Sequence, residues 1–143
     1  MNNFMQEAIN VAKDSGADVP VGAVIVKNGK IIASACNERE KTNDISAHAE
    51  ILAIRRAESV LNNWRLDDCE LYVTLEPCPM CTWALLQSRI KTVYFGSYDT
   101  QYGALGSVLD LREQANTKLK VYSGILEEEC NNIIERFWSN RRD

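Results

Sequence analysis

The sequence has a single histidine, no apolar run approaching the length of a bilayer, and no internal repeat, low-complexity tract or linker. Each absence narrows what the chain can be. Without a stretch of about 20 apolar residues no membrane span is expected. Residues 1–14 are polar and acidic and lack the apolar centre of a signal peptide, so a cytoplasmic location is expected. Five cysteines is an odd number; with no secretion signal, a disulfide framework is not expected. Cys69 and Cys130 lie in or beside apolar stretches and read as small core residues. Cys36 stays unassigned. The net charge of −4 argues against a broad basic surface of the kind that holds nucleic acid non-specifically. A local patch drawn from Arg55, Arg56, Arg89, Lys91, Arg136, Arg141 and Arg142 stays open beside the plain reading of solvated surface charge.

What is present is ordinary for a soluble globular chain: 143 residues, 45% apolar and 25% charged, read as one domain over 1–143. Apolar spacing predicts a helix over 4–15, stopped by Gly16. Two β-rich runs, 21–26 and 30–35, flank Asn28-Gly29, a strong hairpin signal. A polar loop over 37–46 follows, then a helix over 47–61 with Ser46 as its N-cap. A buried strand over 71–75, a helix over 79–89, a strand over 92–96, a glycine-containing loop over 97–107, a strand over 119–122 and a helix over 127–139 complete the chain. Strands alternating with helices suggest an α/β domain of three layers, α/β/α, around a mixed five-stranded sheet.

The chemistry lies in two short segments: His48-Ala49-Glu50, and Pro77-Cys78-Pro79-Met80-Cys81 about thirty residues later. One imidazole and two thiolates supply three protein ligands for zinc, and the fourth position stays open for water, as in catalytic rather than structural sites. Both segments fall at predicted helix starts, where partial positive charge and free N–H groups favour thiolate over thiol. Glu50 is a carboxylate beside the site that is free to carry protons. Taken alone, Cys-x-x-Cys reads as readily as a redox motif or half of a structural zinc site as it does as part of a catalytic one. No second Cys/His pair closes such a site unless a distant cysteine joins.

The joint pattern resembles the signature of the zinc-dependent nucleobase deaminases. Beyond it, the chain is similar to the bacterial tRNA-specific adenosine deaminases, which convert wobble adenosine to inosine. The matching stretches include Val19-Pro-Val-Gly-Ala-Val, Leu71-Tyr-Val-Thr-Leu-Glu-Pro-Cys, Val93-Tyr-Phe-Gly, Gly103-Ala-Leu-Gly-Ser and Gly124-Ile-Leu-Glu-Glu-Glu-Cys. The signature alone implies a deaminase; segment 103–107 and the tail 137–142 point to the tRNA branch. The resemblance implies the cytidine-deaminase-like fold, a homodimer, one Zn²⁺ per subunit, and a tRNA anticodon stem-loop as partner. It further implies His48, Cys78 and Cys81 as metal ligands and Glu50 as the catalytic proton shuttle. Asn37 would bond the base. Ala49 would lie at the oxygen-stabilising wall, and Asp99 at the anticodon-loop backbone. Arg141 and Arg142 would supply the basic helix end.

The chain departs from the family at two places. Thr82-Trp83-Ala84 replaces the usual Ala-Gly-Ala, so a large ring stands near the expected subunit contact or pocket wall. Asn116-Thr117 replaces Asn-His, where a substrate contact is expected to be missing. Two readings compete with tRNA editing. One is a deaminase of a free base or nucleoside, of the guanine or cytosine type. The other is a non-catalytic zinc scaffold, which the retention of Glu50 argues against.

Overall fold

The computed structural model describes residues 2–141. Its elements are α1 (Asn2–Ala12), β1 (Gly22–Lys27), β2 (Lys30–Cys36), α2 (Arg39–Thr42), α3 (Ala49–Leu61), β3 (Cys69–Leu75), α4 (Pro79–Gln87), β4 (Thr92–Ser97), β5 (Lys120–Tyr122) and α5 (Glu127–Ser139), with short 3₁₀ turns at Lys13–Ser15 and Leu111–Gln114. The five strands form one mixed sheet in the order β2-β1-β3-β4-β5. β1 pairs antiparallel with both β2 and β3, while β3–β4 and β4–β5 are parallel. β2, β3 and β4 therefore run in one direction, and their carboxyl ends lie along one edge.

Strand alternation sorts the apolar side chains onto two faces. Ala23, Ile25, Leu71, Val73, Val93 and Phe95 pack beneath Ala53, Ile54 and Ala57 of α3 and Leu85 of α4. Val24, Val26 and Tyr72 face Met5, Ala8 and Ile9 of α1 and Cys130 of α5. The result is the expected α/β/α sandwich. On the α1 side, Phe4, Tyr72, Tyr94 and Tyr122 form an aromatic row across the sheet, with successive centroids 5.3, 4.4 and 5.2 Å apart.

The hairpin forms as expected, with Asn28 (φ 52°) and Gly29 (φ 76°) as the two turn residues of a type I′ connection. Several boundaries differ from the sequence reading. The first helix tightens into a 3₁₀ turn after Ala12. The polar loop holds a short helix, α2, ended by Asn43 in the left-handed conformation. Ser46 is not the N-cap of α3: its carbonyl accepts from His48 N–H, its hydroxyl bonds Asp44, and His48 itself occupies the cap. α4 stops at Gln87, because Arg89 turns left-handed (φ 66°) to feed β4.

Packing of α1 on β1 is close enough to exclude a side chain at Gly22. A Cβ there would lie 1.9 Å from the Ala8 carbonyl oxygen and 2.7 Å from Ala12 N. Backbone atoms cannot yield as a flexible side chain does, so α1 would have to move. Gly22→Ala is expected to cost about 1–3 kcal/mol in chemical denaturation, the range of core overpacking. An unchanged midpoint would show that α1 is not seated this tightly.

Candidate metal centre and adjoining pocket

The two signature segments occupy the same structural slot. His48 is the N-cap of α3, with extended backbone (φ −76°, ψ 151°), and Cys78 is the N-cap of α4 (φ −75°, ψ 174°). Each cap carbonyl opens its helix, His48 O accepting from Leu52 N–H at 3.0 Å and Cys78 O from Thr82 N–H at 2.8 Å. Neither cap side chain bonds back to its own helix, which leaves the imidazole and the thiol free to face each other. Pro79 starts α4, where a missing N–H costs nothing, and Cys81 follows within the first turn. Two helix N-termini thus meet at the carboxyl edge of the sheet, the edge at which open α/β folds bind ligands.

His48 Nδ1 lies 3.8 Å from Cys78 Sγ and 3.5 Å from Cys81 Sγ. Tetrahedral zinc, with roughly 2.0–2.1 Å to nitrogen and about 2.3 Å to sulfur, separates such donors by about 3.6 Å. The three donors therefore fit zinc, bound through Nδ1. All three lie within 4.8 Å of one another, and among the described residues no fourth His, Cys, Asp or Glu joins them. Cys36, Cys69 and Cys130 are free, buried thiols outside the cluster.

The electrostatics prepare the ligands. A hydrogen bond from Cys81 and another with His48 hold the Cys78 thiol down at about 4, against the opposing effect of burial. Cys81 moves the other way, because beside the Cys78 thiolate it keeps its proton. A metal bound by both sulfurs would displace that proton. His48 is raised by its bond to the Cys78 thiolate. Glu50, in the first turn of α3, is 4% exposed. Burial pushes its carboxyl from 4.5 up to about 7.

His48, Glu50 and Cys78 line a pocket of about 550 Å³. Its lining joins Asn37 and these three residues to Tyr98, Asp99, Tyr102 and Trp138. Asn37 is 5% exposed and bridges two segments: its Oδ1 accepts from Ala49 N–H at 2.8 Å and its Nδ2 donates to Val19 O at 3.0 Å. One of its two amide hydrogens remains uncommitted. Ala49 is buried, does not line the pocket, and has its N–H committed to Asn37. Asp99 reaches the pocket wall and also caps its own turn, Oδ1 accepting from Gln101 and Tyr102 N–H at 3.0 Å each. Arg141 folds back on the protein. Its guanidinium lies 3.7 Å over the Phe137 ring and donates to Ala17 O, and it is not among the pocket residues. Arg142 lies outside the described residues.

Trp83 does not line this pocket. It is 43% exposed and borders a separate groove with Arg89, Lys91, Asn116 and Thr117, so both departures from the family pattern fall at that groove. The sequence reading passed over three features. The Arg39 guanidinium lines the pocket while paired at 2.7 Å with the buried Asp18 carboxylate. Half-exposed Tyr98, Tyr102 and Trp138 ring the pocket. Glu76, a charge between an apolar strand and Pro77-Cys78, is 2% exposed; its place in the sequence is the one signal that marked it.

A carboxyl raised from 4.5 to about 7 binds its proton more tightly in the folded chain than in the unfolded one. Its effect on stability is absent at low pH and grows unfavourable as pH rises from 4.5 through 7, to on the order of 3 kcal/mol. In chelator-treated, metal-free protein, Glu50→Gln should therefore be more stable than wild type near pH 8 and no more stable near pH 4. Equal denaturation midpoints at both pH values would contradict the buried, raised carboxyl.

A family model described as the cytidine and deoxycytidylate deaminase zinc-binding region matches residues 1–97. The tRNA-specific adenosine deaminase of Bacillus subtilis (strain 168) is 46% identical over 97% of this chain and 89% of its own length. A solved structure from work on A-to-I editing by tRNA:A34 deaminases superposes with a TM-score of 0.87 at 39% identity, covering 93% of this chain and 99% of that one. Guanine deaminase from Bacillus subtilis superposes less closely, at a TM-score of 0.67 and 35% identity over 96% of this chain and 92% of that one. With three zinc donors at the required spacing and a likeness that runs the length of the chain, this protein belongs to the zinc-dependent cytidine and deoxycytidylate deaminase family, among the tRNA-specific adenosine deaminases.

Proposed function

We propose that the protein is a single-domain enzyme that hydrolytically deaminates adenosine to inosine at the wobble position of tRNA. The observation that carries this reading is the set of three metal donors and the buried Glu50 beside a pocket ringed by half-exposed aromatic side chains. Aromatic faces suit RNA whose bases are unstacked, and a base in an anticodon loop is already unpaired, so extruding it costs little.

His48, Cys78 and Cys81 would hold the zinc. When bound, zinc in such a site supplies a water activated for attack near neutral pH. Glu50 would accept a proton from the attacking water and pass it to the ring nitrogen beside the carbon under attack, then take the hydroxyl proton of the adduct and pass it to the departing amino group. Its burial suits this role, because a carboxyl poised near neutrality can both accept and give a proton. The bond from carbon to the amino nitrogen breaks, a carbon–oxygen bond forms, and water plus adenosine give inosine and ammonia. Asn37 bonds the base through its uncommitted amide hydrogen. Ala49 contributes by fixing Asn37 through its N–H.

Asp99 and the Arg39 cation flank the loop backbone, the cation offsetting phosphate charge. Arg141, two residues past the end of α5, would meet the stem together with Arg142, which lies outside the described residues. The partner is an anticodon stem-loop, the assembly a homodimer and the location the cytoplasm. The net charge of −4 means that this cation set is local rather than spread over the surface. Among the described residues no helix is long and apolar enough to cross a membrane.

Two measurements test this. Purified, zinc-quantified protein is offered an anticodon stem-loop with wobble adenosine and, separately, free adenosine, cytidine, guanine and cytosine. Inosine should appear in the stem-loop alone; turnover of a free base alone would move the protein to the small-molecule deaminases. Glu50→Ala should keep its zinc and lose turnover by at least about a hundred- to ten-thousand-fold. A variant with normal rates would remove Glu50 from the chemistry.

A further inference from the structure

We propose that Glu76 is a positioning residue that sets the substrate wall of the pocket in register with the metal centre; the inference rests on the RNA reading above. Glu76 is 2% exposed and stands two residues before Cys78. The mechanism gives its carboxylate no proton to carry, yet burying a charge is costly unless it is satisfied. The loop after β4 satisfies it. Oε1 accepts from Asp99 N–H at 3.1 Å and from the Ser107 hydroxyl, and Oε2 accepts from Leu105 N–H at 3.0 Å and Ser107 N–H at 3.1 Å. No cation pairs with Glu76 among the described residues. Its charge is met by neutral donors from this loop.

The same segments are joined twice more. Glu76 N–H donates to Ser97 O at 2.8 Å, and Ala104 N–H to Pro77 O at 2.9 Å. The loop closes on the carboxylate without spare room: a Cβ at Gly103 would lie 2.5 Å from Glu76 Cδ, from Oε1 and from Asp99 O. Tyr98, Asp99 and Tyr102, which line the pocket, therefore hang from a carboxylate on the strand-to-helix turn that carries Cys78. Four hydrogen bonds on one side chain define a position more sharply than any single contact. A displacement of the turn that moves the metal would carry the substrate wall with it.

Three variants test the inference: Glu76→Gln, which sets an NH₂ group against two donors; Gly103→Ala, which crowds the carboxylate from the loop side; and Ser107→Ala, which removes one hydroxyl donor. Each is scored by anisotropy binding of the stem-loop, by KM and kcat for its deamination, and by the visible absorption of the cobalt-substituted protein. Expected is a rise in Kd and KM of about tenfold or more for Glu76→Gln and Gly103→Ala, and about two- to threefold for Ser107→Ala, with kcat changed less. The cobalt spectrum should stay that of wild type, because the ligands remain in place. If Glu76→Gln fails to fold, the other two variants decide. Wild-type binding in all folded variants, or affinity lost only together with the cobalt spectrum, overturns the inference. A wild type that neither binds nor edits the stem-loop overturns the RNA reading instead, and the same KM comparison on whichever base is accepted then decides for Glu76.

Discussion

Everything at the site depends on two helices starting at one edge of the sheet. A nitrogen and two sulfurs must come within about 3.6 Å of one another to share a zinc ion, yet His48 and Cys78 are thirty residues apart. Pairing β1 antiparallel to both β2 and β3 makes β2 and β3 run the same way. The turns leaving them then open α3 and α4 side by side on one face. His48 and Cys78 each sit at an N-cap, so the backbone is fixed by the helix it starts and the side chain is free, and Cys81 follows in the first turn of α4. The partial positive charge of both N-termini falls where thiolates form. Asn37, at the end of β2, ties Ala49 to Val19 and so pins the start of α3.

Three buried carboxylates surround this junction, and the fold treats each differently. For Asp18, burial alone would raise the carboxyl, but Arg39 and the N–H groups of Val19 and Glu40 bring it below its ordinary value. Its role is to hold α2 and the Arg39 cation at the pocket. Glu76 is satisfied by hydrogen bonds from one loop, which makes it a clamp. Glu50 has no comparable partner and is pushed to about 7 by burial. Paired, clamped and poised are three outcomes of the same cost, the removal of a charge from water.

The aromatic groups follow a similar division. Tyr72 and Tyr94 are stacked on the sheet beneath α1 and hold two layers together. Tyr98, Tyr102 and Trp138 are exposed around the pocket, Tyr98 edge-on to Phe95 and Trp138 edge-on to Phe137. Trp83, the departure that put the pocket in question, belongs to a different groove altogether. Its ring follows Cys81 by two residues, and in a helix that spacing turns a side chain well away from the first.

The order of strands and helices, the hairpin at Asn28-Gly29 and the ligand set His48, Cys78 and Cys81 were legible in the sequence, because alternation, turn residues and ligand chemistry are local properties. The place of Glu50 in the first turn of the helix that His48 opens was legible too, through the His-Ala-Glu triplet. Helix boundaries were less so: Ser46 has the composition of an N-cap, but the metal ligand took that position and Ser46 turned to Asp44. The sequence by itself determined which atoms could bind zinc and which carboxylate could carry protons. The tertiary structure alone decided that Asn37 bonds Ala49 across twelve residues, that Asp18 meets Arg39 across twenty-one, and that Glu76 gathers a loop up to thirty-one residues away. Those partners are chosen by strand direction and register, which bring distant backbone N–H groups to one point, and no local pattern encodes that meeting.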